Sequence, residues 1–131
     1  MERIINIDGI ARNFKASGAT PRLYRGVTGR DLLVDFSKLE NAKTDENGLL
    51  SREVYQIYED LMYVMAKQGN DALPAGDERK IATFPATPDE WLDTIETLDI
   101  YDMLPQIAQM WRLSNLSLIA SKKNNVRPLG N

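Results

Sequence analysis

The residues equipped for chemistry are few and of restricted kinds. The chain has no histidine and no cysteine. That removes the commonest general base, the commonest transition-metal ligand and every thiolate nucleophile. Ser-His-Asp and Cys-His constellations are excluded, and so is an HExxH zinc site. Carboxylates, lysine, tyrosine and arginine remain. Asp89, Asp93 and Glu96 recur at four and three residues, so a helix would set them on one face, where magnesium or calcium would find oxygen ligands. No EF-hand spacing accompanies them. A paired-carboxylate hydrolase would also need one acid on an apolar face to raise its pKa, and none is so placed. Arg22, Arg25 and Arg30 around Tyr24 make the best basic patch, the residue types of a small nucleic-acid-binding regulator. The net charge of -3 and pI of 5.0 oppose a polyanion. Gly26-Val27-Thr28-Gly29 lacks the Gly-Lys-Ser/Thr ending of a phosphate loop. The expectation is a protein with no catalytic residue, metal or cofactor.

The elements that would position these groups can be read from spacing. Ile5 and Ile7 alternate with Asn6, Phe14 anchors the return, and Asp8-Gly9 between them is a two-residue hairpin turn. Thr20-Pro21 is a cap-then-proline signal for a short helical turn through Arg25 that ends at Gly26. Thr28 with Asp31 three residues on suggests a capping box for a helix from about Gly29 to Leu39, with stripe Leu32, Leu33, Phe36 and Leu39. After a polar loop over Asn41 to Gly48, Ser51 caps a helix whose apolar face is Val54, Ile57, Tyr58, Leu61, Met62 and Met65, and Gly69-Asn70 reads as its stop. Asn70 to Pro85 reads as a long connection.

Thr87 to Trp111 carries the strongest pattern and is expected to supply half of the core. Thr87, Pro88 and Glu90 form a capping box. Trp91, Leu92, Ile95 and Leu98 form one stripe, and Ile100, Met103, Leu104, Ile107 and Trp111 form the next. Pro105 belongs in the first turn of a helix that begins near Asp102. The fold class expected is α+β, mostly α, with an N-terminal β-hairpin and about four helices. One small domain spans 1–120, followed by a flexible basic tail over 121–131, which holds almost nothing to bury.

With 131 residues, a core can form without staples. No run of eighteen apolar residues offers a membrane span, and the start lacks the form of a secretory signal. Charge is segregated. Residues 1–38 carry seven Lys/Arg against four Asp/Glu, residues 39–111 carry five against fifteen, and residues 112–131 carry four against none. Such an arrangement favours contact between unlike regions, within one chain or through self-association. The apolar residues, meanwhile, outrun one core. Tyr55, Tyr58, Met62, Tyr63 and Met65 make a face wider than one helix contact needs, and Trp111 is followed by Leu113, Leu116 and Ile119. Surplus apolar surface of this kind marks an interaction site, and Met and Tyr re-pack against varied partners.

Several blocks together resemble one family. They are Phe14-Lys-Ala-Ser-Gly-Ala-Thr20-Pro21-Arg22-Leu-Tyr24-Arg25 with Gly29-Arg30-Asp31, then Glu59-Asp-Leu-Met-Tyr-Val-Met-Ala-Lys-Gln. Thr87-Pro88-Asp-Glu-Trp91-Leu92-Asp93 follows, then Ile100-Tyr101-Asp-Met-Leu104-Pro105, Trp111 and the Ser121-Lys-Lys tail. In order and rough spacing the chain is similar to the tail assembly chaperones of long-tailed phages and prophages of Gram-positive bacteria. No single block is diagnostic; the resemblance rests on their sum. Ala72 to Thr83 departs from it, being longer and more charged than the connection expected there.

The resemblance implies a non-enzymatic chaperone that binds and solubilises the tape measure protein and promotes tail tube assembly around it. It implies work in the host bacterial cytoplasm, absence from the mature virion, and contact with tail tube protein through a frameshifted longer product. Tyr55, Tyr58, Met62, Tyr63, Met65, Trp111, Leu113 and Leu116 are the expected partner-binding residues. Thr20, Pro21, Tyr24, Arg25, Gly29, Arg30, Asp31, Trp91, Leu104 and Pro105 are the expected structural motif. The alternative is nucleic-acid binding through Arg22, Arg25 and Arg30.

Overall fold

A computed structural model describes residues 1–96 and 99–112. The chain begins with strands β1 (Glu2–Ile7) and β2 (Ile10–Lys15), paired antiparallel from Glu2 opposite Lys15 to Ile7 opposite Ile10. Asp8 and Gly9 both hold positive φ, 56° and 77°, the backbone twist that a two-residue turn needs to match the twist of the strands. Ile5, Ile7 and Phe14 are buried on the inner face of this hairpin.

Among the described residues, helices α1 (Thr20–Thr28), α2 (Leu32–Glu40), α3 (Arg52–Ala72), α4 (Pro88–Asp93) and α5 (Asp99–Asp102) follow. Residues 104–112 are also helical, with Pro105 in the first turn where its missing N–H costs nothing. The hairpin-then-helices order matches the expectation. Among the described residues no helix is long and apolar enough to cross a membrane.

Several boundaries differ from the sequence reading. α1 runs through Gly26 and stops at Gly29, whose φ of 73° supplies the left-handed cap and whose N–H returns to Arg25 O at 2.8 Å. Thr20 is not the cap. Its buried hydroxyl donates to Gln68 Oε1 at 2.7 Å and accepts from the Ser17 N–H at 2.9 Å, tying α1 to α3. The α2 cap is Asp31, which accepts from the Leu33 and Val34 N–H groups. Thr28 instead donates to Tyr24 O. Leu33 lies outside the buried stripe, at 58% exposure.

α3 does not stop at Gly69-Asn70 but continues to Ala72. Gly69 serves packing there, and the Asn70 side chain holds the following loop, accepting from Ile81 N–H at 2.7 Å and donating to Ile81 O at 2.9 Å. Leu73 is extended, as the residue before Pro74 must be. α4 ends at Asp93, so Ile95 falls outside it. The Thr94 hydroxyl turns back onto Trp91 O, and the Glu96 N–H donates to Asp8 Oδ2 in the hairpin turn. Leu98, and with it the end of the expected stripe, lies outside the described residues.

The hub is α3, not the Thr87–Trp111 stretch. It packs on β2, α1, α2 and α4, and its Ile57, Leu61, Met62, Tyr63 and Met65 are the centre of the core. Trp91, Ile107 and Trp111 close that core from the other side, so the later stretch does contribute its share. Among the described residues, three ion pairs join the charge-segregated regions. Arg30 pairs with Asp60, Lys38 with Glu53 and Arg112 with Glu40, each joining a basic region to the acidic middle.

Candidate functional site

The N-terminal half of α3 turns Arg52, Tyr55, Gln56 and Glu59 to one side, a set spaced three, one and three residues apart. Two other segments face it. One is Leu49-Leu50, set by a turn in which Asp45 Oδ1 accepts from the Asn47 and Leu49 N–H groups at 2.8 and 2.9 Å. The other is α5 with Tyr101 and Asp102. Together they line an open groove of about 800 Å³, in the size range of ligand clefts. The Tyr55 and Tyr101 rings meet edge to face at 5.7 Å and 86°, the arrangement their quadrupoles favour. Tyr55 OH also accepts from the Leu50 N–H at 3.3 Å, so the aromatic wall and the loop are fastened together. Leu49 is 54% exposed and Tyr101 39%.

Glu59 is one of the two carboxylates that line this groove. Burial pushes its carboxyl above the ordinary range, nearby Asp60 adds to the push, and a hydrogen bond from Tyr101 opposes it. Burial also raises the Tyr101 phenol, as does Glu59. With Asp102 beside it, the site combines apolar and aromatic walls with carboxylate acceptors. It can cover an apolar side chain and accept a hydrogen bond from a basic neighbour.

Most of the expected partner-binding residues lie elsewhere. Met62, Tyr63, Met65 and Trp111 are sealed in the core, at 0, 0, 0 and 1% exposure, and present no surface to a partner in this fold. The Tyr63 hydroxyl is already used, donating to Pro85 O at 2.6 Å, with its ring against Phe84 and Trp91. Tyr58 is half-buried toward Glu40 and Arg112. Among the described members of the set, Tyr55 alone lines the groove. Leu113 and Leu116, with the tail over 121–131, lie outside the described residues. Leu49, Leu50, Gln56, Glu59 and Tyr101 were missed. The one available signal was a leucine pair interrupting a polar, acidic loop.

The three arginines do not act as one patch. Arg22 and Arg25 are exposed on α1. Arg30 is committed to a buried network, its Nε to Asp35 Oδ2 at 2.8 Å and its guanidinium to Asp60 Oδ2 at 2.6 Å and to Tyr24 OH at 3.0 Å. Tyr24 OH donates to the same Asp35 oxygen at 2.7 Å. Burial disfavours the Arg30 charge, but these partners outweigh it and hold its pKa above the ordinary value. Burial and the bond to Asp35 likewise push the Tyr24 phenol up. The motif residues Tyr24, Gly29, Arg30 and Asp31 are therefore a structural joint between α1, α2 and α3.

A second groove, about 360 Å³, runs between α1 and α3, where Leu23, Gly26 and Val27 face Val64 and Gln68 with Arg22, Lys67 and Asp71 at the rim. Leu23 and Val27 are substantially exposed. Asp89, Asp93 and Glu96 are all exposed, and among the described residues no three acids converge on a common point. No protein-family model, curated protein or solved structure matches the chain.

Proposed function

We propose that this chain is a tail assembly chaperone that covers apolar stripes of a helical tape measure protein until the tail tube forms around it. The observation that carries the reading is the groove of Tyr55, Tyr101, Leu49 and Leu50, which leaves aromatic and aliphatic surface open. A long helix with a bare apolar stripe aggregates, and a groove of this composition takes such a stripe by helix-in-groove contact. Glu59 and Asp102 at its edge suit a basic residue flanking the stripe. At the rim of the second groove over Leu23 and Val27, Lys67 pairs with Asp71 at 3.3 Å, which leaves Arg22 to meet an acidic flank. The work is done in the host cytoplasm, and the chaperone leaves before the virion is finished.

The test is co-expression with fragments of a phage tape measure protein, followed by sedimentation and size-exclusion chromatography. Co-elution of fragment and chaperone, lost on Tyr55→Ala with Tyr101→Ala, is the expected result. Equal precipitation of the fragment with and without the chaperone overturns the reading. The nucleic-acid alternative keeps only Arg22 and Arg25 as free-standing cations, since Arg30 is committed. A gel shift that weakens steeply with salt and vanishes on Arg22→Ala with Arg25→Ala would favour that alternative.

A further inference from the structure

The two outer edges of the hairpin differ. The Ala16 N–H donates to Met1 O at 2.9 Å and the Met1 amino group donates to Ala16 O at 2.8 Å, so these two residues exchange both bonds. By the strand register, Arg3, Ile5 and Ile7 bond to β2 in the same way, while the N–H and C=O groups of Glu2, Ile4 and Asn6 point away from it. In β2 the residue opposite Ile4 is Asn13, whose outward carbonyl meets Gly69 so closely that no Cβ would fit between them. Helix α3 thus closes the β2 edge. Among the described residues β1 has no second strand beside it, and Glu2, Ile4 and Asn6 are exposed, Ile4 at 55%.

The β1 edge also lacks the features that keep open edges apart. It has no proline, lysine or bulge, and Ile4 to Ile7 carry no charge. Its sequence fits a second copy of itself in one antiparallel register. A two-fold axis at Ile4 sets Glu2 opposite Asn6, Arg3 opposite Ile5, and Ile4 opposite Ile4 of the second copy. All the outward groups of Glu2, Ile4 and Asn6 then find partners, the exposed isoleucines cover each other, and no like charges meet. A two-residue slip in one direction sets Arg3 against Arg3, and a slip in the other sets Glu2 against Asp8. Either slip also leaves outward groups unbonded.

We infer that two copies of this chain join β1 to β1 across a two-fold axis at Ile4, building one antiparallel sheet in the order β2-β1-β1-β2. Because α3 closes the opposite edge at Asn13, pairing stops at two copies instead of growing a fibre. A single strand pair is smaller than the roughly 1,600 Å² of a standard interface, so the dimer forms and dissociates with concentration. This edge shares no residue with the Tyr55/Tyr101 groove and stands or falls independently of the chaperone reading.

The experiment compares the full chain at about 20 µM and about 500 µM by analytical ultracentrifugation and amide hydrogen exchange. The expected result is a monomer–dimer equilibrium in which protection of the Ile4 and Asn6 amides rises with concentration. Arg3 and Ile5, already bonded to β2, should be protected at both. Ile4→Pro removes only an outward N–H, and should weaken dimerisation roughly tenfold or more through the hydrogen bonds lost at the axis. If that variant does not fold, Ile4→Lys keeps the backbone donor and sets lysine against lysine, and should weaken dimerisation likewise. Leu33→Lys, at an exposed position of α2, should leave it unchanged. A chain that stays monomeric at the higher concentration, Ile4 and Asn6 amides protected in the monomer, or a dimer that survives Ile4→Lys overturns the proposal. Protection of these amides only on addition of a tape measure fragment also overturns it, and gives the edge to a foreign strand.

Discussion

A methyl group placed on the Cα of Gly69 would lie 2.0 Å from the carbonyl oxygen of Asn13 and 2.7 Å from the Cα of Phe14. Helix α3 therefore reaches the backbone of β2 directly, and the Asn13 amide secures the contact by donating to Gly69 O at 2.9 Å. Every groove described above is bounded in part by α3 or by the hairpin that this contact places.

Gly69→Ala should destabilise the fold by about 1–3 kcal/mol, because the clash is with backbone and cannot be relieved by a rotamer change. Gly26→Ala is the counter-experiment. Nothing lies within 4 Å of its missing Cβ, so helix propensity alone should act and stabilise by about 0.5–1 kcal/mol. Urea denaturation of both variants checks the opposite signs.

Arg30→Gln should cost about 2–3 kcal/mol at neutral pH. Breaking one side of a buried ion pair leaves its carboxylates unpaired, and the figure sits at the low end because the Arg30 side chain is 37% exposed. Burial already raises the Asp60 pKa in the intact protein, with Arg30 opposing the rise. Removing Arg30 raises it further. A group whose folded pKa is raised gains stability as pH falls through that pKa, so the deficit of the variant should shrink as pH falls from 7 toward 4. Paired denaturation curves across that range provide the check.

The Asp77 carboxyl is held down to about 2 by hydrogen bonds from the Arg79 side chain and backbone. A depressed carboxylate contributes stability above its unfolded pKa and loses it as pH falls toward the folded value. Carbon-13 titration should show Asp77 protonating near 2 in the intact chain. In Arg79→Gln it should protonate closer to the ordinary carboxylate value.

Tyr101→Ala should leave the melting temperature within a few degrees of the intact protein, since Tyr101 is 39% exposed and lies outside the sealed core, and should weaken capture of a tape measure fragment by roughly tenfold or more if the groove is a binding hot spot. Met62→Ala should do the reverse, lowering stability by about 2–5 kcal/mol through a core cavity while leaving the groove residues in place. Calorimetry and co-elution on the same two variants separate the roles.

Much of the local structure was legible in the chain itself. Asp8-Gly9 specified the hairpin, Ser51 and Thr87 capped the helices they precede, and Pro105 fell in a first turn. Each of these depends on atoms within four residues of one another, so spacing is enough to reveal them.

What needed the tertiary structure depends on residues far apart in sequence. Gly69 resembles a helix stop until β2 is set against it. Arg30 resembles a free cation until Asp60, thirty residues on, comes within 2.6 Å. Tyr55 and Tyr63 are the same residue type on the same helix, yet one lines a groove and the other is sealed beneath Phe84 and Trp91. Burial is set by what a distant segment lays over a residue, and no periodicity within one helix records which segment that will be.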